Sequence, residues 1–198
     1  MAVKMKAVVS YAPYDNRYED YPKPEAGPGE IVLKVKGCGI CAGDVKAYHG
    51  GIRIWGTSPE NRYIEAPCIG GHEYYGEVVE LGEGVEGYEI GDTLVSEQII
   101  PCGECEFCKK GVYWMCTRSA VFGFKQYANG GFAEYVKIPA AAVRSGNIVP
   151  LADHVSYAEA AITEALSCVY NGISQCHIRP GDAVVVIGAG PIGMMHAM

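Results

Sequence analysis

Residues 1–140 contain recurring short segments of apolar and polar residues, each bounded by glycine, proline or aspartate. Such a pattern is typical of β-strands joined by tight turns. The proline- and glycine-rich segment 22–29 and the acidic, glycine-rich segment 85–91 lack this pattern and predict turns. Residues 1–152 are therefore expected to form a largely antiparallel β domain. The predicted strands include Val3–Ser10, Ile31–Lys36, Tyr75–Leu81, Thr93–Ile100 and Ala133–Ile138.

The pattern changes to helical spacing near residue 153. Ser156 and Glu159 form the signature of a capping box, which marks the start of a helix. Residues 153–178 are therefore expected to form a helical connector. Its apolar positions recur every three or four residues, as in one face of a helix: Ala158, Ala161, Ile162, Ala165, Leu166 and Val169.

The last part of the sequence predicts the start of a second domain. A turn at 179–182 leads into the β-branched run Ala183–Ile187, which predicts a buried strand. The glycine-rich segment 188–193 then opens an apolar segment with helical character. Residues 179–198 are expected to be the first strand and turn of an α/β domain. The sequence ends inside this helix, which we interpret as an incomplete molecule.

The composition limits the kinds of partner. The formal net charge is −7, so nucleic acids and anionic membranes would be repelled. No apolar run approaches the ~20 residues of a membrane span. The N-terminus has only a short apolar stretch before polar residues, which predicts a first strand and not a signal peptide. We therefore expect a cytoplasmic protein without nucleic-acid or membrane partners.

Nine cysteines, an odd number, and no export signal disfavour a disulfide framework. Four of them lie at metal-ligand spacing in one loop, expected as a lobe over residues 98–118, where two glycines, Gly103 and Gly111, allow tight turns. Four thiolates close a tetrahedral Zn²⁺ site and leave no position for substrate, so this site is expected to be structural. Free thiols and an iron–sulfur centre are the alternatives. The four ligands are Cys102, Cys105, Cys108 and Cys116.

A second set of metal-binding residue types lies on glycine-rich backbone. Catalytic zinc takes about three protein ligands and keeps one position for water or substrate. Cys41 and His72 are the first two candidates, and Glu73 either binds directly or modulates access to the metal. Asp44 is expected to accept the second imidazole N–H of His72 and so fix its tautomer.

The third ligand of this site must come from further along the chain. Glu164 lies on the predicted helix, with Cys168 one turn beyond it on nearly the same face. The pattern alone favours an ordinary solvated helix acid at position 164, so the residues by themselves leave the third ligand open.

The glycines of segment 188–193 follow a predicted strand and open a helix. In this context the pattern G-x-G-x-x-G predicts dinucleotide binding, with the pyrophosphate at the helix N-terminus. The residue that selects NAD or NADP is expected ~20 residues further on, outside this sequence. The cofactor-binding candidates are Gly188, Gly190, Pro191, Ile192 and Gly193.

The segments Cys41-x-x-Asp44 and Gly71-His72-Glu73-x-x-Gly76, the four-cysteine loop and the Gly188 turn occur in the order typical of one family. Together they resemble the zinc-containing medium-chain dehydrogenase/reductase (alcohol dehydrogenase) family over the whole chain. This resemblance implies a mainly β GroES-like catalytic domain followed by a Rossmann domain. It also implies two zinc ions per subunit and hydride transfer from an alcohol to NAD(P), with NAD favoured.

The resemblance changes the interpretation of Glu164. This residue matches the metal-binding glutamate of sorbitol- and threonine-dehydrogenase-like members, so it becomes the expected third ligand, with Cys168 as the alternative. Two positions depart from the family pattern. Gly43 stands where many members have a proton-relaying Ser or Thr, and Ala165 stands where related members usually have proline.

Within the family, the sequence is similar to polyol dehydrogenases of the erythritol/threitol or sorbitol type. This similarity implies a small polyol or secondary alcohol as substrate and a homodimer or homotetramer at full length. A threonine-dehydrogenase-like or other alcohol dehydrogenase is one alternative, and a non-catalytic zinc-binding structural module is another. The 198 residues alone are expected to be inactive.

Overall fold

The computed structural model describes residues 3–198, and antiparallel β-sheet is its main framework. A five-stranded sheet has the strand order β10-β6-β5-β3-β9, and a three-stranded sheet has the order β2-β1-β4. A third sheet pairs β7 with β8. The strands are β1 (Lys4–Ala12), β2 (Asp15–Pro22), β3 (Ile31–Gly39), β4 (Cys68–Ile69), β5 (Glu73–Leu81), β6 (Thr93–Ser96), β7 (Ile99–Ile100), β8 (Ala120–Val121), β9 (Tyr135–Ile138) and β10 (Ile148–Pro150).

Short helices connect these strands, and one long helix follows them. Within the described residues, no helix is both long enough and apolar enough to span a membrane. The α-helices are α1 (Ala42–Tyr48), α2 (Ile52–Trp55), α3 (Glu106–Lys109), α4 (Ala140–Ser145), α5 (Tyr157–Gln175) and α6 (Pro191–Ala197), and two 3₁₀ turns cover Pro59–Asn61 and Tyr113–Met115.

The main core lies under the five-stranded sheet. Phe122 enters it from the loop after β8 and packs edge-on against Tyr74, with ring centroids 5.6 Å apart. Both residues are 0% exposed. Burial of apolar surface of this kind is the dominant favourable contribution to folding. The core therefore fixes β3 and β5, the two strands whose ends carry the candidate catalytic ligands.

The predicted β domain is confirmed, although individual strands differ from the prediction. The predicted strand Thr93–Ile100 is wrong as one element, because the chain leaves the five-stranded sheet at Glu97 and starts β7 at Ile99. Three consecutive polar residues, 96–98, lie at this break, and the apolar residues on its two sides belong to different sheets. Strand β2 was not predicted, since its residues DNRYEDYP are mostly polar and half-exposed or exposed. Its pairing with β1 over eight residue positions holds it in the sheet.

Helix α5 confirms the capping-box prediction. Glu159 Oε2 accepts the backbone N–H of Ser156 at 2.8 Å, and Ser156 Oγ accepts the backbone N–H of Glu159 at 3.4 Å. The predicted buried strand Ala183–Ile187 is not formed: the segment has no regular secondary structure, and Ile187 is 96% exposed. Within residues 3–198 no strand pairs with it, and a strand without a hydrogen-bonded neighbour is not stable alone. The predicted helix after the glycines is present as α6.

Candidate metal centres and glycine turn

The four cysteines of the loop converge, as their spacing predicts. The Sγ atoms of Cys102, Cys105, Cys108 and Cys116 all lie within 4.8 Å of one another. Helix α3 places two of them, because Cys105 is its N-cap and Cys108 lies within it. Gly103 and Gly111 have φ of +76° and +73°, the left-handed region that glycine adopts at little cost. This cluster of four thiols fits a structural zinc.

Backbone N–H groups point at the sulfur of Cys102. Glu104 and Cys105 donate to Cys102 Sγ at 3.5 and 3.4 Å. These two bonds are the main reason that the pKa of Cys102 falls to about 6. Because the thiolate is the form that binds a metal, the loop backbone is arranged to favour the metal-binding state.

The second candidate centre forms where β3 ends and β5 begins. Gly39 of β3 pairs with Glu73 of β5. Just beyond Gly39, Cys41 is the N-cap of α1. One ligand atom from each of Cys41, His72 and Glu73 lies within 4.8 Å of the others. The long β3–β5 pairing therefore brings together ligands that are 31 residues apart in sequence, as the numbering of Cys41 and His72 shows.

His72 supplies a ring nitrogen to this cluster and is 3% exposed. Its Nδ1 is buried without a hydrogen-bond partner and lies beside Asp44. A thiol, an imidazole and a carboxylate together form a donor set that zinc accepts. The residues present thus fit a zinc ion at this centre.

Asp44 fixes the backbone on both sides of the centre. Its Oδ2 accepts the N–H of Cys41 at 2.9 Å, and its Oδ1 accepts the N–H of Gly71 at 3.3 Å. The Nδ1 of His72 lies 3.7 Å from Asp44 Oδ1, which is longer than a hydrogen bond. The expected bond from His72 to Asp44 is therefore not made at this distance, and Asp44 instead positions the two ligand-bearing segments.

Glu164 is buried beside this centre. It is 5% exposed, which contradicts its interpretation as an ordinary solvated helix acid. Burial raises the pKa of Glu164, and Glu73 raises it further, while His72 lowers it. Its Oε1 accepts a hydrogen bond from Cys168 Sγ at 3.7 Å. Glu164 is outside the group of ligand atoms that lie within 4.8 Å of one another, so the structure brings it near the metal centre but not into it.

Some residues around the centre were not identified from the sequence. The ring of Phe124 lies 6.1 Å from that of His72, centroid to centroid, and forms an apolar wall. Glu97 lies near Glu164. Burial is the main reason that the pKa of Glu97 is raised, and the negative charge of Glu164 raises it further. A cavity of about 240 Å³ borders both acids. The sequence holds no local signal for these residues, because loops that are distant in the chain bring them to the site.

Gly43 leaves space next to two candidate ligands. A Cβ at this position would lie 3.6 Å from His72 Cε1 and 3.7 Å from Cys41 Sγ, which are ordinary contact distances. A small side chain would therefore fit here. Lack of space therefore does not explain why this position has no hydroxyl, which many family members have.

The glycine turn at 188–193 has the tight geometry that its pattern predicts. Gly188 has φ of +109°, and a Cβ on Gly193 would overlap the carbonyl oxygen of Gly188. Gly190 is the N-cap of α6, and Pro191 occupies its first turn, where the missing N–H costs nothing. The backbone therefore turns directly into a helix N-terminus, as a phosphate-binding turn does.

The comparisons with known proteins agree with this fold. Residues 27–150 match the family described as alcohol dehydrogenase GroES-like domain. The erythritol/L-threitol dehydrogenase of Mycolicibacterium smegmatis is 41% identical over 194 residues, which are 96% of this chain and 52% of that protein.

Two solved structures superpose on almost the whole chain. A protein from Escherichia coli CFT073 described as a short chain alcohol dehydrogenase, complexed with NADH, has a TM-score of 0.83 and 30% identity, and 98% of this chain matches 52% of that one. A thermostable alcohol dehydrogenase from Pyrobaculum aerophilum, with cobalt and zinc bound, has a TM-score of 0.81 and 29% identity, and 98% of this chain matches 55% of that one.

The matched domain, the ordered motifs and these relatives define the class: the chain belongs to the zinc-dependent medium-chain alcohol dehydrogenase family and contains its GroES-like domain. The chain spans about half the length of the relatives it matches.

Proposed function

We propose that the full-length protein is a zinc-dependent dehydrogenase that oxidises a small polyol or secondary alcohol to the ketone and transfers the hydride to NAD(P). The observation that carries this proposal is the convergence of Cys41, His72 and Glu73 within 4.8 Å on a GroES-like β domain. A non-catalytic zinc module would need only the cysteine loop, and it would have no use for this second set of ligands.

Cys41 and His72 are proposed to hold the catalytic zinc, together with a carboxylate. Both Glu73 and Glu164 are candidates for that carboxylate, and Glu73 is favoured because it lies in the cluster with Cys41 and His72. Zinc in such a site acts as a Lewis acid that lowers the pKa of the bound alcohol. Glu164 is buried close to Glu73 and His72, so it is a second carboxyl group beside this centre. Asp44 keeps the segments of Cys41 and Gly71 in place.

Cys102, Cys105, Cys108 and Cys116 are proposed to hold a structural zinc. A closed four-thiolate site replaces the hydrophobic core that so short a loop cannot build. The bonds from the backbone to Cys102 support this role, since they favour the thiolate.

Gly43 is compatible with a polyol substrate. Many members of the family pass the substrate proton through a hydroxyl at this position, and here the space beside His72 and Cys41 is open. A second hydroxyl of a polyol, or a water molecule, can occupy that space and relay the proton, accepting it while passing one of its own toward solvent. The similarity to an erythritol/L-threitol dehydrogenase supports the same substrate class.

The glycine turn is proposed to bind the pyrophosphate of the cofactor. The backbone of Gly188 and Gly190 approaches the start of α6 without side chains in the way. We propose NAD as the preferred cofactor. In the 198 residues alone, the segment 183–187 is exposed, so the turn has no sheet behind it, and we propose that this piece does not turn over alcohol. A homodimer or homotetramer is proposed for the full-length protein.

A substrate screen on the full-length, zinc-loaded protein tests the proposal. Erythritol, threitol, sorbitol, threonine and simple alcohols would each be offered with NAD and with NADP, and reduction of the cofactor would be followed by absorbance. We expect turnover of a polyol or secondary alcohol, and loss of that turnover in Cys41→Ala. Zinc-loaded protein that reduces neither cofactor with any of these compounds would contradict the proposal. Turnover by the purified 198-residue chain would contradict the inactivity of this piece.

A further inference from the structure

Three N–H donors converge on one sulfur of the cysteine loop. Two are the backbone N–H groups of Glu104 and Cys105. The third is the guanidinium of Arg118, whose Nη2 lies 3.6 Å from Cys102 Sγ. The same nitrogen lies 3.0 Å from Glu104 Oε2. Arg118 therefore touches the loop at its first cysteine, although in sequence it follows the last one, Cys116.

This contact places a positive charge beside a group that gains negative charge when a metal binds. Four thiolates around one divalent cation carry a net charge of −2. A permanently charged guanidinium next to one sulfur reduces the repulsion among the thiolates. Its N–H bond also draws electron density from the sulfur, because a charge-assisted hydrogen bond is stronger than a neutral one. A thiolate held in this way exchanges less readily with a competing ligand.

We propose that Arg118 is a positioning residue of the cysteine loop: held by Glu104, it donates to the Cys102 thiolate and slows the release of the structural zinc. This inference rests on the proposed zinc site of the loop.

A simple surface ion pair is the competing explanation. The side chains of Arg118 and Glu104 are 60% and 75% exposed, so their mutual attraction contributes little to stability. If the pair itself mattered, removing either partner would have the same effect. If the bond to sulfur matters, Arg118→Gln has a larger effect than Glu104→Gln, because Arg118 can keep its contact with Cys102 when Glu104 is neutral.

The experiment measures zinc release from the full-length protein in a Cys41→Ala background, where only the zinc of the loop is expected to remain. A chromogenic chelator in excess reports the release rate. We expect Arg118→Gln to accelerate release about threefold to tenfold, Arg118→Lys to accelerate it less, and Glu104→Gln to have a smaller effect than Arg118→Gln. Arg17→Gln is the matched control, since Arg17 forms an exposed pair with Asp15 in the β1–β2 hairpin.

A spectroscopic signature separates this role from a general loosening of the loop. With Co²⁺ in place of zinc, removal of a donor from Cys102 should move the thiolate-to-cobalt charge-transfer band to lower energy. The acceleration in Arg118→Gln should also shrink as salt is added, because the charge is exposed.

Two results would overturn the inference in distinguishable ways. If the background protein retains no zinc, the structural-zinc assignment fails and the role of Arg118 fails with it. If one zinc is retained and Arg118→Gln releases it at the background rate, or no faster than Glu104→Gln, only the role of Arg118 fails.

Discussion

Replacing Gly71 by alanine tests how the backbone before His72 is built. Gly71 has φ of +86°, and a Cβ there would lie 2.7 Å from Phe132 Cδ1 and 2.8 Å from Cys38 Sγ. The backbone cannot easily move away, because its N–H donates to Asp44 and its carbonyl accepts the N–H of Gly131 at 2.8 Å. Both the left-handed conformation and the overlap should therefore oppose alanine.

The expected cost has two parts. The left-handed conformation of a non-glycine residue costs about 1–2 kcal/mol, and forcing extra atoms into a packed site costs about 1–3 kcal/mol. Gly71→Ala should thus lower the free energy of unfolding by about 2–5 kcal/mol. Gly87→Ala is the matched control, because Gly87 has φ of +81° and a Cβ there meets nothing within 4 Å. Gly87→Ala should lose only the part of the stability that comes from the left-handed conformation, about 1–2 kcal/mol.

Urea unfolding of the full-length, zinc-loaded protein, extrapolated to water, measures both variants. Since Gly71 precedes His72, zinc content should also fall in Gly71→Ala and stay unchanged in Gly87→Ala. Equal losses of stability in the two variants would refute the argument from crowding, as would full zinc content in a strongly destabilised Gly71→Ala.

Two further predictions concern the helix cap and a buried acid. Ser156→Ala should lower the free energy of unfolding by about 1 kcal/mol, since it removes the acceptor for the N–H of Glu159. Urea unfolding measures this loss, with Ser174→Ala, near the end of the same helix, as the control. An equal loss in Ser174→Ala would contradict the capping role. The pKa of Glu97 is raised in the folded state above its ordinary 4.5, so ionisation of Glu97 destabilises the fold once pH rises above that value. Glu97→Gln should therefore raise the free energy of unfolding near neutral pH, and the gain should disappear in acid, where Glu97 is protonated. A gain of the same size at both pH values would contradict the raised pKa of Glu97.

Local sequence was sufficient for the features whose residues lie close together in the chain. The four loop cysteines are within one short segment, so their spacing alone predicted a shared site. The capping box of α5 and the glycine turn before α6 are likewise local, and both are present.

Features that depend on distant parts of the chain could not be predicted in this way. Glu164 had the pattern of a solvated helix acid, and only the packing of α5 against β5 and β3 buries it next to His72. The apolar run Ala183–Ile187 predicted a buried strand, but a strand also needs a neighbour to pair with, and residues 3–198 provide none. The polar strand β2 shows the reverse case, in which pairing with β1 makes a strand that patterning does not indicate.

Zinc content tests the central claim that the chain carries two metal centres with different roles. We expect about two zinc ions per full-length chain, one at the cysteine loop and one at Cys41, His72 and a carboxylate. In Cys41→Ala, element analysis after removal of loosely bound metal should find one zinc, and alcohol-dependent reduction of NAD should be lost. Two zinc ions retained in Cys41→Ala would contradict the assignment of the catalytic centre.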